Sequence, residues 1–114
     1  MLYLVKINST NNTIEMTRGD TLRLYLTLKD GEGNVYTPSE NDSIRFAMKK
    51  RYADTTPLIL KAIPNDTLCL YLAPEDTKDL NYGEYLYDME ITYADGDVDT
   101  FIDRAKFRLT EEVY

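Results

Sequence analysis

Asp88 and Glu90 stand two residues apart, a spacing that puts both carboxylates on one face of a strand. Paired carboxylates can serve glycoside hydrolysis. Asp95, Asp97 and Asp99 alternate and are followed by Asp103, and clustered carboxylates attract calcium. Arg18-Gly19-Asp20 matches the integrin-binding tripeptide, and Cys69 is the single thiol. Ten Tyr offer a different chemistry, since an exposed phenol ring gives large contact area with a polar tip. Which of these groups is free to act depends on the elements that carry them.

The composition excludes much of the usual catalytic repertoire. The 114 residues contain no His and no Trp. The side chain most often used as general base and metal ligand is therefore missing, and neither Ser-His-Asp nor Cys-His machinery can be assembled. One Cys makes neither an internal disulfide nor a Cys-rich zinc site, as expected in a reducing compartment. No catalytic, cofactor-binding or metal-ligating set is assigned. Lys and Arg number 13 against 20 Asp and Glu, for a formal charge of −7. That excess repels phosphate backbones, so no nucleic-acid partner is expected. The basic run Lys49-Lys50-Arg51 is too short to make a groove. No apolar stretch suits a membrane span or an export signal, so no membrane partner is expected either.

Period-two alternation, the signature of half-buried strands, recurs along the chain. It is clearest over residues 21–29, where Leu22, Leu24, Leu26 and Leu28 share one face and Arg23, Tyr25, Thr27 and Lys29 the other. Turn residues 30–34 break it. Further strands are read at 43–49, at 58–63 between two prolines, at 67–72 and at 83–93. A last one spans 98–110, with a bulge or bend at Asp103-Arg104-Ala105. Two short strands at the front, 2–7 and 13–16, are split by an Asn-rich turn. Pro74 followed by acids starts the one short helical turn, near 74–80.

About seven or eight short strands with no long helix between them exclude a parallel βαβ fold. The chain is one domain over residues 1–114. It is read as an all-β, immunoglobulin-like antiparallel β-sandwich. Leu80-Asn81-Tyr82-Gly83-Glu84-Tyr85 has the spacing of a tyrosine corner, in which the Tyr85 hydroxyl bonds back to loop backbone.

This frame gives the polar clusters ordinary work. Strand 83–93 would lie between 43–49 and 98–110, so Asp88 and Glu90 would face Arg45 and Lys49 on one side and Lys106 and Arg108 on the other. The Asp95–Asp103 series fails the EF-hand pattern, with Gly96 at its second position and Lys106 where the bidentate Glu belongs. Gly19 and Asp20 make a turn before a strand. Tyr25 and Tyr71 face outward on neighbouring strands with Cys69 beside them, and Tyr3 can join from the first strand. These three Tyr are the expected interface residues, and pairing with a second copy through two-fold symmetry is one use of such a patch.

Four segments together resemble a family. They are Met16-Thr17-Arg18-Gly19-Asp20-Thr21, the Leu80-x-Tyr82-Gly83-x-Tyr85-x-Tyr87-Asp88-Met89-Glu90 stretch, Gly96-x-Val98-x-Thr100, and Phe107-x-Leu109-Thr110-Glu111-Glu112-Val113. The chain is similar in them to small proteins encoded in tail regions of phages and prophages of Gram-positive bacteria, and through these to the N-terminal domain of baseplate upper proteins. Ala105 stands where that pattern has a Gly. The resemblance implies a non-enzymatic structural module of a tail or baseplate. Such a module is made in the bacterial cytoplasm, carried in the virion once assembled, and docked on other virion proteins or on itself. The rival expectation is a carbohydrate-binding accessory module, since β-sandwiches also stack sugars on exposed Tyr.

Overall fold

A computed structural model describes residues 3–4 and 12–111. Among them the strands are β1 (Tyr3–Leu4), β2 (Ile14–Thr17), β3 (Leu22–Tyr25), β4 (Leu28–Lys29), β5 (Ser43–Lys49), β6 (Ile59–Ile63), β7 (Cys69–Leu72), β8 (Gly83–Thr92) and β9 (Val98–Thr110), with one helical turn, α1 (Pro74–Thr77), before β8. The fold is all-β in the sense expected. A five-stranded sheet runs in the order β2-β9-β8-β5-β6, and two-stranded ladders join β3 to β7 and β1 to β4.

Two expectations are corrected. The large sheet is mixed, because β2 runs parallel to β9 with Ile14 opposite Phe107 and Thr17 opposite Thr110. A tight turn at residues 18–20 separates β2 from β3. Gly19 has φ +83°, a left-handed conformation that glycine enters without steric cost, and the Asp20 N–H closes on the Thr17 carbonyl at 3.1 Å. After the turn the chain joins another ladder, β3 with β7, rather than pairing back on β2. The Arg18 N–H instead continues the ladder to the Thr110 carbonyl at 3.0 Å. Second, the alternation over 21–29 carries two strands. Residues 22–25 pair with β7, while Leu28 pairs with Leu4 of β1 and its carbonyl also accepts the Tyr36 N–H at 2.9 Å. The side-chain alternation survives the change of partner, with Leu26 and Leu28 buried and Tyr25 and Thr27 exposed.

The inner residues of the sheet and of the β3–β7 ribbon belong to one hydrophobic cluster. Its centre is Phe46, Tyr87 and Phe107, all fully buried, with ring centroids 5.4, 6.2 and 6.4 Å apart. Separations in this range suit tilted and edge-to-face aromatic packing. The Tyr87 hydroxyl, which burial would otherwise leave unsatisfied, donates to the Asn12 carbonyl.

The expected bulge is present and is one of two. Tyr87 pairs with Ala105 but Met89 pairs with Ile102, and Glu90 then pairs with Thr100. Thus β9 carries an extra residue at each shift. At the first, Arg104 has φ +54°, a left-handed conformation. The Tyr85 hydroxyl donates to the Asn81 carbonyl at 2.6 Å, the bond expected of the tyrosine corner. The helical turn is shorter than the 74–80 stretch read for it. The Asp76 carboxylate accepts the Ala73 N–H at 2.7 Å, and Thr77 is its buried residue.

Candidate functional site

Strands β3 and β7 set the registers Tyr25↔Cys69 and Arg23↔Tyr71. Their apolar alternates Leu24, Leu70 and Leu72 pack against or within the core, which leaves the other face outward by the two-residue period. Tyr25 is 69% exposed and Tyr71 45%. Together they line a shallow groove of about 420 Å³. The groove also takes Arg23 from β3, Cys69 from β7, and Lys61 and Pro64 from β6 and the loop after it. Tyr25 and Tyr71 are thus brought together as expected. For Tyr3 the backbone pairs with Lys29 in the β1–β4 ladder, and its side chain lies outside the described residues.

Cations sort the exposed tyrosines, and sequence reasoning missed this. The Arg18 guanidinium lies 4.1 Å from the Tyr82 ring centroid and that of Arg23 lies 5.0 Å from Tyr71. Tyr52 is covered by Lys49 at 5.3 Å and Arg104 at 4.7 Å. Contacts of this length hold a cation over the ring face. Among the described residues Tyr25 is the exposed Tyr with no cation over its ring. The only available signal was local, a basic run ending next to Tyr52. That run is spent on the fold: the Lys49 ammonium donates to the carbonyls of Tyr52 and Asp54, both at 3.1 Å, and Lys50 to the Glu84 carbonyl at 3.0 Å.

The acidic clusters are also engaged in structure. Arg45 pairs with Glu90 at 2.7 Å. Arg108 pairs with Glu84 at 2.8 Å and reaches Glu15 at 3.5 Å. The Arg108 hydrogen bond is the main cause holding the Glu84 carboxyl below its ordinary range. Asp88 departs from the expected pairing. Its carboxylate accepts the Arg104 N–H at 2.7 Å and so fixes the bulge. Asp88 does line a depression of about 320 Å³ beside Arg45 and Lys49. Glu90 is turned to Arg45, so the two carboxylates do not share that depression as a hydrolytic pair would.

The Asp95 carboxylate accepts the Asp97 N–H at 2.9 Å in the hairpin turn. Among the described residues no three His, Cys, Asp or Glu are grouped to hold a metal ion. The Arg18-Gly19-Asp20 turn is docked rather than displayed. Arg18 donates to the Leu80 carbonyl at 3.1 Å and to the Tyr82 hydroxyl at 2.9 Å, and the Gly19 N–H donates to the Thr77 hydroxyl at 2.9 Å.

A further polar cluster had no spacing by which to find it. The Tyr36 hydroxyl donates to the Asp42 carboxylate at 2.7 Å, and the Ser39 N–H donates to the same oxygen at 3.0 Å. The Asn65 amide reaches the carbonyls of Ser39 and Asp42 at 2.7 and 2.6 Å. Burial, then Asp42, pushes the Tyr36 phenol up to about 12. The Tyr36 hydrogen bond in turn holds the Asp42 carboxyl below its ordinary value. These bonds order the connection from β4 to β5.

Among the described residues no helix is long and apolar enough to cross a membrane. No protein-family model matches the chain, and no curated protein matches it.

Proposed function

We propose that the chain is a non-enzymatic structural module of a phage or prophage tail or baseplate, which assembles with other virion proteins, or with itself, through sheet faces and edges. The observation that carries this reading is the outward face of the β3–β7 ribbon. It offers Tyr25, with no cation over its ring among the described residues, beside the β6 edge of the large sheet. An uncovered aromatic over a shallow, mostly apolar groove is the anatomy of a protein contact. An edge strand such as β6 is a template for a neighbour's strand, and Leu58 and Leu60 are exposed there.

The immunoglobulin-like sandwich belongs to the same proposal. It is supported by the order β9-β8-β5-β6 opposite a β3–β7 ribbon, by the shared core and by the Tyr85 corner bond. The parallel β2–β9 edge is an addition to an otherwise antiparallel plan.

The test is size-exclusion chromatography with light scattering of the chain, alone and mixed with the products of the genes that flank its own. Stable co-elution with a tail protein, or a defined oligomer, lost when Tyr25 and Tyr71 are both replaced by Ser, is the expected result. A strictly monomeric chain that joins none of those products would sink the proposal. The same two Tyr around the groove favour a second reading, sugar binding. A glycan array separates the two.

A further inference from the structure

We propose that the groove between β6 and the β3–β7 ribbon docks an acidic, extended segment of a partner protein, with Arg23 as the residue that reads its carboxylates. The inference deepens the assembly reading and rests on it for the partner being a protein.

The argument is charge complementarity. The protein carries −7 overall, yet among the described residues the groove is lined by two cations, Arg23 and Lys61, and by no Asp or Glu. The two differ in commitment. Lys61 is bound to Asp76 at 3.1 Å, so half of the local positive charge is already neutralised. Arg23 pairs with no carboxylate among the described residues. It lies 5.0 Å from the Tyr71 ring centroid, a contact that orients the guanidinium without consuming its donors. Elsewhere the outward arginines Arg45 and Arg108 sit within 2.7 and 2.8 Å of an acid. An orientated arginine without an acid, on an acidic protein, is a site held open for an incoming carboxylate. Tyr25 and Tyr71 flank it and take the apolar residues that alternate with acids in an extended chain. Nucleic acid fits poorly, because two cations neutralise few phosphates while the rest of the surface repels the backbone.

Fluorescence anisotropy with the full chain and three labelled probes tests this. The probes are a short peptide of alternating glutamate and tyrosine, its lysine–tyrosine counterpart, and oligodeoxythymidine. The acidic peptide is expected to bind, more weakly as salt rises, and to lose roughly tenfold in affinity in Arg23→Gln, the loss of one charge-assisted contact. Arg23→Glu is expected to abolish it and admit the lysine peptide. Matching thermal melts of both variants and the parent keep a folding defect apart from a binding one. Absence of acidic-peptide binding, binding indifferent to Arg23, or equal binding of either other probe overturns the inference. If a tail protein still co-elutes in a Tyr25-dependent manner, the assembly reading stands and only the acidic specificity falls.

Discussion

Two outward faces of this protein are written in the same alternating code and end in opposite electrostatic states. On the β5–β8–β9 face, bases and acids meet across strands: Arg45 with Glu90, and Arg108 with Glu84 and Glu15. On the β3–β7 face the cation opposite Tyr71 is Arg23, and among the described residues no carboxylate lines the adjoining groove. The first face pairs these charges internally. Among the described residues the second leaves Tyr25 without a cation over its ring and Arg23 without an acid. Two exposed sheet faces built on one alternation are told apart by what each leaves unpaired, more than by polarity.

The sharpest way to break the comparison is to disturb the internally paired face where its bonds are most directional. Asp88→Ala removes the acceptor from the Arg104 N–H and leaves Arg104 at φ +54° without its tether. The bond is exposed, so a loss of about 0.5–1.5 kcal/mol, the net contribution of an ordinary hydrogen bond, is expected in urea unfolding. Asp88→Asn, which retains an acceptor, should lose less. If Asp88→Ala unfolds at the parent's urea midpoint, the carboxylate is not a structural part of the bulge, and its place beside Arg45 and Lys49 needs another explanation.

A second prediction concerns the Tyr36–Asp42 cluster on the connection between the two faces. The folded Tyr36 pKa is raised from 10.0 to about 12. Its contribution is therefore fully present below pH 10.0 and is lost as pH rises from there to about 12, because the unfolded chain gives up its proton first. The folded Asp42 pKa is lowered from 3.8, so its contribution is present above pH 3.8 and is lost as pH falls below that value. Thermal melting across pH should show both limbs, each shallower in Tyr36→Phe. Tyr85, Tyr87 and Tyr93 are also raised by burial, so the alkaline limb should shrink in the variant rather than vanish. A variant whose melting profile parallels the parent's at both ends would contradict the assignment.

Legibility in the sequence followed the physics of each element. Alternation located the faces correctly at Leu22–Leu28, at Leu70 and Leu72, and at Tyr85–Ile91, because side-chain period depends on the strand alone. Partner choice does not, which is why the 21–29 run hid a change of ladder and why the parallel β2–β9 pair went unread. The Arg45–Glu90 pair was legible because opposite charges on adjacent strands favour one register. The Asp88 tether was not, because its donor is a backbone N–H freed only by the bulge. Tyr25 and Tyr71 were found from outward phase and strand adjacency. That Arg23 lies over Tyr71 followed from the β3–β7 register, which side-chain period alone does not set, while the rings of Tyr52 and Tyr82 met their cations through loop positions with no period to read.

The smallest expected effect tests the comparison on its own terms. A double-mutant cycle on Arg45→Ala and Glu90→Ala should give a coupling of about 0.2–1 kcal/mol. It should be smaller at high ionic strength, since both groups are partly solvated and screening reaches them. The parallel substitution on the other face, Arg23→Ala, has no carboxylate to strand, so its stability change should fall within about 0.5 kcal/mol of zero and show no salt dependence of that kind. If Arg23→Ala instead proves as costly and as salt-sensitive as breaking the Arg45–Glu90 pair, then Arg23 has an acid partner in solution. The two faces would then be electrostatically alike, and Tyr25 alone would be left to distinguish the ribbon.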